Sequence, residues 1–149
     1  MTEPVEISVY IAARPEIVFG YFTDPARYVQ WMGNQATLDP VPGGTYRVRM
    51  RDGLAAAGEF VELDPPHRLV FTWGWTNDTA VPPGSTRVEV TFTDEDGGTR
   101  VVLRHHGLPD QEQIDHHRKG WELYLPRLSI RAAGGDPGPD PNTQGPAQP

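Results

Sequence analysis

Residues 110–131 read DQEQIDHHRKGWELYLPRLSIR, the longest amphipathic stretch of the chain. Ile114, His117, Trp121, Tyr124 or Leu125, and Leu128 recur at the i, i+3, i+4, i+7 spacing that lines one face of an α-helix. Asp110 suits the N-cap, and Arg127 and Arg131 place positive charge near the C-terminal end, where it complements the helix dipole. At 1.5 Å per residue such a helix is about 30 Å long, so a sheet able to cover it must be large and curved.

The preceding residues supply strands. Val5 to Ile11 alternates apolar and polar positions, the period of a half-buried strand. Pro15 opens a short helix rich in Ile17, Val18, Phe19, Tyr21 and Phe22, and Asp24 caps a second from Pro25 to Met32, stopped by Gly33-Asn34. The period of two then returns in a short strand near Ala36 to Leu38 and in Thr45 to Arg51. In the latter, Tyr46, Val48 and Met50 face one way and Arg47, Arg49 and Arg51 the solvated other. Asp52-Gly53 turns into a strand over Gly58 to Leu63, whose register the nearby glycine leaves open. Leu69 to Trp75 reads as the most hydrophobic strand, with Leu69, Phe71, Trp73 and Trp75 in phase. Asn77 to Ser85 reads as a long polar loop suited to be a mobile rim. Arg87 to Thr93 and Arg100 to His106 form a hairpin around Asp94 to Gly98, with Val101, Leu103 and His105 in phase. The order of strand, two short helices, meander and long helix predicts an α+β domain over residues 1–133. Gly134 to Pro149 contains no apolar residue larger than alanine and is expected to be a disordered Pro/Gly-rich tail.

Composition removes several function classes. The 149 residues suit one domain. With 20 acidic against 13 basic residues the net charge is -7, and no basic block forms on any element, so neither nucleic acid nor an anionic membrane surface is an expected partner. The absence of cysteine removes disulfides, thiolate nucleophiles and Cys-ligated zinc. Nothing resembles a signal peptide or a run of about 18 apolar residues, which is read as a cytoplasmic protein. Phosphate-binding loops, a nucleophile elbow and zinc-protease spacing are all missing, and no cofactor is called for.

Ala13-Arg14-Pro15-Glu16-Ile17-Val18-Phe19, Phe22-Thr23-Asp24-Pro25 with Trp31, and Pro42-Gly43-Gly44-Thr45-Tyr46 form a recognisable series. It continues through Gly58 to Trp73, His105-His106-Gly107-Leu108-Pro109 and Gly120-Trp121-Glu122-Leu123-Tyr124-Leu125. Over residues 5–131 these segments resemble the START-like (SRPBCC) superfamily, in the branch similar to the C-terminal domain of the activator of Hsp90 ATPase. The resemblance implies a helix-grip fold, also called Bet v 1-like. In it a curved antiparallel sheet of six to seven strands wraps the C-terminal helix, and two short helices close one end of an apolar cavity. It also implies a hydrophobic, lipid-like or aromatic small molecule as partner, with a polyketide cyclase or dehydratase activity, or an Hsp90 partner, as alternatives. A monomer or homodimer fits either. Two departures stand out: His106 replaces the serine common in the His-Ser-Gly-Leu-Pro stretch, and Pro126 lies inside the helical pattern. That proline removes a backbone bond at roughly 3 kcal/mol unless a kink absorbs it, and a bend near Glu122 would reshape the cavity.

Ligand-binding candidates are Trp31, Tyr46, Met50, Glu62, Phe71, Trp73, Trp75, His105, His117 and Trp121. The aromatics among them are core residues first, and Trp31, Trp73, Trp75 and Trp121 are the ones expected to stack on a flat ligand. His105 shares the inward phase of its strand and His117 lies on the helix's apolar face, so they should meet. Each reads either as a hydrogen-bond donor or general base, or as a core histidine satisfied by its neighbours. Glu62 enters the cavity only if Phe60 points inward, and would then be a polar anchor or, with His105 and His117, a catalytic candidate. His105, His106, His116 and His117 do not make a metal site, because adjacent residues on a strand or helix diverge and no acidic set joins them.

Overall fold

A computed structural model describes residues 4–143. Strand β1 (Val5–Ile11) leads through α1 (Pro15–Thr23) and α2 (Pro25–Tyr28) into β2 (Gln35–Leu38), β3 (Thr45–Arg51), β4 (Leu54–Asp64), β5 (Arg68–Trp73), β6 (Thr86–Glu95) and β7 (Gly98–His106). The long helix α3 (Gln111–Ala132) and a 3-10 turn at Pro141–Thr143 follow. The sheet is antiparallel throughout, in the order β1-β7-β6-β5-β4-β3-β2, so the first strand pairs with the last. This is the helix-grip architecture.

Helix α3 follows its sequence closely. The Asp110 carboxylate accepts from the Gln113 amide at 2.9 Å, and Ile114, His117, Trp121, Tyr124, Leu125 and Leu128 are the buried face. The helix is continuous through Pro126, whose side chain is exposed. Close backbone approach joins α3 to β1 and α1. Toward the other flank of the sheet, Trp73 at the end of β5 meets Trp121 with ring centroids 5.2 Å apart, and Trp75 donates to His117 at 3.0 Å. Helix α1 buries Val18, Phe19 and Phe22, and Phe22 meets Tyr28, Trp31 and Phe92 edge to face. Helix α2 is a single turn rather than a helix reaching Met32, because the chain passes into a tight turn after Tyr28 that carries Trp31 and Met32 into the core.

Two irregularities in the sheet override the alternation read from sequence. Between Phe60 and Glu62 the β4–β5 register shifts, so although Phe60 is buried, Val61 and Glu62 both face solvent. A second shift, between Arg49 and Arg51, takes Arg51 off the outer face shared by Arg47 and Arg49. Strand β4 also begins earlier than expected, the Ala55 to Ala57 run pairing with Val48 to Arg49 and Arg47. Strand β5 ends at Trp73, and Trp75 forms an isolated bridge with Ala56.

The 77–85 segment is not a free rim. Val81 is fully buried, its carbonyl accepts from the Trp75 amide at 2.7 Å, and the Gly84 amide donates to Ala57 O at 3.1 Å. Residues 134–143 likewise differ from the expected disordered tail. They fold back onto the body, held by Arg127 and Asp140, while the rest of that tail, 144–149, lies outside the described residues. Polar bonds supply the anchoring that a composition without large apolar side chains gives no sign of. No helix among the described residues is long and apolar enough to cross a membrane.

Candidate functional site

Where α3 stands off β3 to β5, the structure has a cavity of about 680 Å³. Met32, Met50, Leu54, Trp73, Trp75 and Trp121 form its apolar and aromatic wall. Asp78, Glu112, Lys119 and Arg51 place charges of both signs around it, Asn77 adds a neutral amide, and Tyr124 and Asn142 give it a polar end. Leu54 and Trp75 are partly accessible, while Met50, Trp73 and Trp121 are buried. The space is therefore aromatic within and ionic at its margin.

The histidines do meet, with ring centroids 5.1 Å apart and planes at 83°. Their tautomers follow from their neighbours. An indole N–H can only donate, so Trp121 Nε1, 3.1 Å from His105 Nδ1, requires that nitrogen to accept. His105 Nε2 then carries the proton and donates to Thr86 Oγ1 at 2.8 Å, while the Thr86 hydroxyl donates to Trp73 O at 2.7 Å. In His117 the pattern is reversed. Its Nδ1–H donates to Gln113 O at 2.8 Å, and its Nε2 accepts from Trp75 Nε1 at 3.0 Å. Both rings are neutral with both nitrogens engaged. Burial holds the His105 imidazole well below the usual histidine range, with the nearby His117 and His106 rings adding to the effect, and burial also lowers His117. Of the paired readings, the geometry matches histidines satisfied by their surroundings.

Trp73 completes the wall differently. It lies against Trp75 at 5.1 Å, Trp121 at 5.2 Å and His105 at 5.8 Å between ring centroids. Its Nε1 is buried and has no hydrogen-bond partner, whereas Trp75 and Trp121 each donate to a histidine. An indole N–H left in this way costs about 1–3 kcal/mol.

Of the ten ligand candidates, the structure brings Met50, Trp73, Trp75, His117 and Trp121 to the cavity. His105 stands behind Trp121, fully buried. Trp31 is fully buried among Phe22 and Tyr28 and donates to Tyr21 O at 3.0 Å. Tyr46 stacks on Phe71 at 4.1 Å and shares a hydrogen bond with Tyr28, so Tyr46 and Phe71 are core. Burial pushes both phenols up, so they stay protonated. Glu62 is on the outer face, where its carboxylate accepts from Arg68 Nε at 2.9 Å. Arg68 also pairs with Glu89, which His106 meets at 3.2 Å. Among the described residues no group of three or more His, Asp or Glu side chains is placed to hold a metal.

Several lining residues had no signal in the sequence reading. Leu54 belongs to the start of a strand that runs further than its period shows, and Asn142 to a tail that looked unstructured. Tyr124 carried a signal, since it lies one turn from Trp121 on the same helical face.

Comparison with known proteins places this geometry. The family model for activator of Hsp90 ATPase homolog 1-like proteins matches residues 12–132. The human activator of 90 kDa heat shock protein ATPase homolog 1 is 30% identical over 111 residues, which are 74% of this chain and 31% of that protein. The chain thus spans about a third of the length of that curated relative. An AHSA1-like protein of Rhizobium etli, solved by NMR, is 45% identical with a TM-score of 0.74, covering 93% of this chain and 86% of that one. DynU16, from the dynemicin biosynthetic locus, is 25% identical with a TM-score of 0.78, covering 92% of this chain and 49% of that one. On the family model, which accounts for most of its length, the chain belongs to the activator of Hsp90 ATPase homolog 1-like family.

Proposed function

We propose that this protein binds a hydrophobic, flat small molecule in the space between α3 and β3 to β5. The observation that carries the reading is the cavity of about 680 Å³ walled by Trp73, Trp75 and Trp121. Its volume lies in the range of drug-sized ligand sites, and the tryptophans give it the aromatic wall common in such sites. The relation to a protein from a biosynthetic locus of a natural product agrees with such a ligand.

Of the side chains singled out for catalysis, His105, His117 and Glu62, none supports turnover. General-base catalysis needs a nitrogen free to take a proton, and His105 and His117 commit theirs to Trp, Thr and backbone partners. Glu62 is on the far side of the sheet. Native mass spectrometry for a co-purified molecule, followed by a thermal-shift panel of lipids and aromatic polyketides, tests the proposal. A saturable shift with aromatic compounds is expected. No bound mass and no shift across the panel would refute it.

The name of the human relative favours a second reading, an Hsp90-directed interaction. Stimulation of Hsp90 ATPase by the purified chain would support it, and a failure to bind Hsp90 in a pull-down would end it.

A further inference from the structure

Residues 134–143 follow the segment that the family model matches, and they reach the cavity. After α3 the chain reverses at Gly134, whose φ is 101°, with the Gly135 amide donating to Ile130 O at 2.8 Å. It then runs back across Arg127. That guanidinium donates to the carbonyls of Pro137 at 3.1 Å, Pro139 at 3.2 Å and Gly138 at 2.9 Å, and through Nε to Trp31 O at 3.0 Å. Beyond it Asp140 is 6% exposed. Its Oδ2 accepts from the Gly33 amide at 2.8 Å, and its Oδ1 from the Tyr124 hydroxyl at 2.9 Å and the Asn142 amide at 2.8 Å. The Asn142 side chain donates to the Tyr124 oxygen at 2.9 Å, and Arg51 donates to Asn142 O at 3.1 Å.

The contacts of this strap converge on one place. Met32, Arg51, Tyr124 and Asn142 all line the cavity. Asp140 anchors the residue after Met32 together with Tyr124, and Arg51 holds Asn142. The strap contains no large apolar side chain, so hydrogen bonds rather than core packing secure it. A segment held in that way opens locally at a fraction of the cost of global unfolding.

We infer that residues 134–143 form a latched wall of the ligand site, with Asp140 as the latch, and that this wall limits the size of the occupant. The inference rests on the binding reading above for its consequence, while the latch itself is accessible without any ligand. Because the chain has no cysteine, Met32→Cys in the full-length protein provides a single thiol at the strapped end. Asp140→Ala in that background is expected to raise the rate of alkylation by a maleimide at least tenfold. In the protein with Met32 retained, Asp140→Ala is expected to speed exchange of the Gly33 amide at least tenfold, with the Val90 amide in the central sheet unchanged. An unchanged Gly33 exchange rate, or an unchanged alkylation rate at residue 32, would overturn the latch.

The limit on size is read with 1-anilinonaphthalene-8-sulfonate and its larger dimer, bis-ANS. Asp140→Ala is expected to tighten bis-ANS at least fivefold and leave the smaller probe within twofold. Equal affinities of both proteins for both probes would refute the wall and leave the binding site standing. Absence of saturable binding by either protein, with Gly33 exchange accelerated, would uphold the latch and refute both the binding reading and the limit on size.

Discussion

Each histidine at the heart of the molecule is neutral for a reason visible atom by atom: Trp121 and Trp75 donate to them, and Thr86 and Gln113 O accept. Burial lowers both pKa values from 6.5, so on acidification the unfolded chain takes up protons before the folded one does. Their contribution to stability is therefore complete above pH 6.5 and is lost as the pH falls from there toward the folded values. Each histidine adds at most about 1.4 kcal/mol per pH unit in that window. Urea denaturation at pH 7.5 and pH 5.5 should show lower stability at the acid value, and His105→Gln should flatten the difference. A pH-independent midpoint would contradict the assignment. The tryptophans permit a second comparison. Trp121→Phe strands His105 Nδ1 and is expected to cost about 2–4 kcal/mol, whereas Trp73→Phe also removes an N–H that has no partner and should cost less than half as much. Equal losses would show that hydrogen bonding does not separate the two sites. Phase alone made the meeting of His105 and His117 legible in the sequence. Which nitrogen carries the proton was not, because it depends on Trp75, Trp121 and Thr86 arriving from other elements.

At the scale of elements, the strands obey their alternation until a bulge intervenes. Glu62 would share the inward phase of Phe60 in a regular strand, and the register shift between them turns it to solvent and Arg68. A bulge needs only one extra residue and no special side chain, so the sequence carries no mark of it. The loop after β5 is fixed by close backbone contact in the same silent way. A Cβ built on Gly74 would lie 1.7 Å from Pro82 O. Gly74→Ala is therefore expected to push residues 77–85 off the sheet and destabilise the fold by about 1–3 kcal/mol or more, with faster exchange at the Trp75 amide. Gly120→Ala is the contrast. Nothing lies within 4 Å of its added Cβ, and in mid-helix the change should stabilise by up to about 1 kcal/mol. Thermal melts that rank the two variants in the opposite order would remove the steric account of the loop. The long helix, by comparison, was legible almost to the residue, because its cap, its stripe and its length are all local properties.

For the whole molecule, the controlling feature is that α3 lies near one flank of the sheet and far from the other. The order of elements and the resemblance to a known superfamily foretold a curved sheet around a long helix, but not this one-sided approach. They foretold neither the mixed charge at the margin of the cavity nor the part taken by residues beyond the helix, since both depend on segments that meet only in three dimensions. The four tryptophans offer the most direct test of the central claim, because Trp73, Trp75 and Trp121 line the cavity while Trp31 is enclosed by Phe22 and Tyr28. Titration of the ¹⁵N-labelled protein with a planar aromatic ketone, followed through the indole N–H resonances, reads all four at once. The account expects saturable shifts for Trp73, Trp75 and Trp121 with Trp31 unmoved. Shifts confined to surface amides, with the three cavity indoles unchanged at saturation, would contradict it.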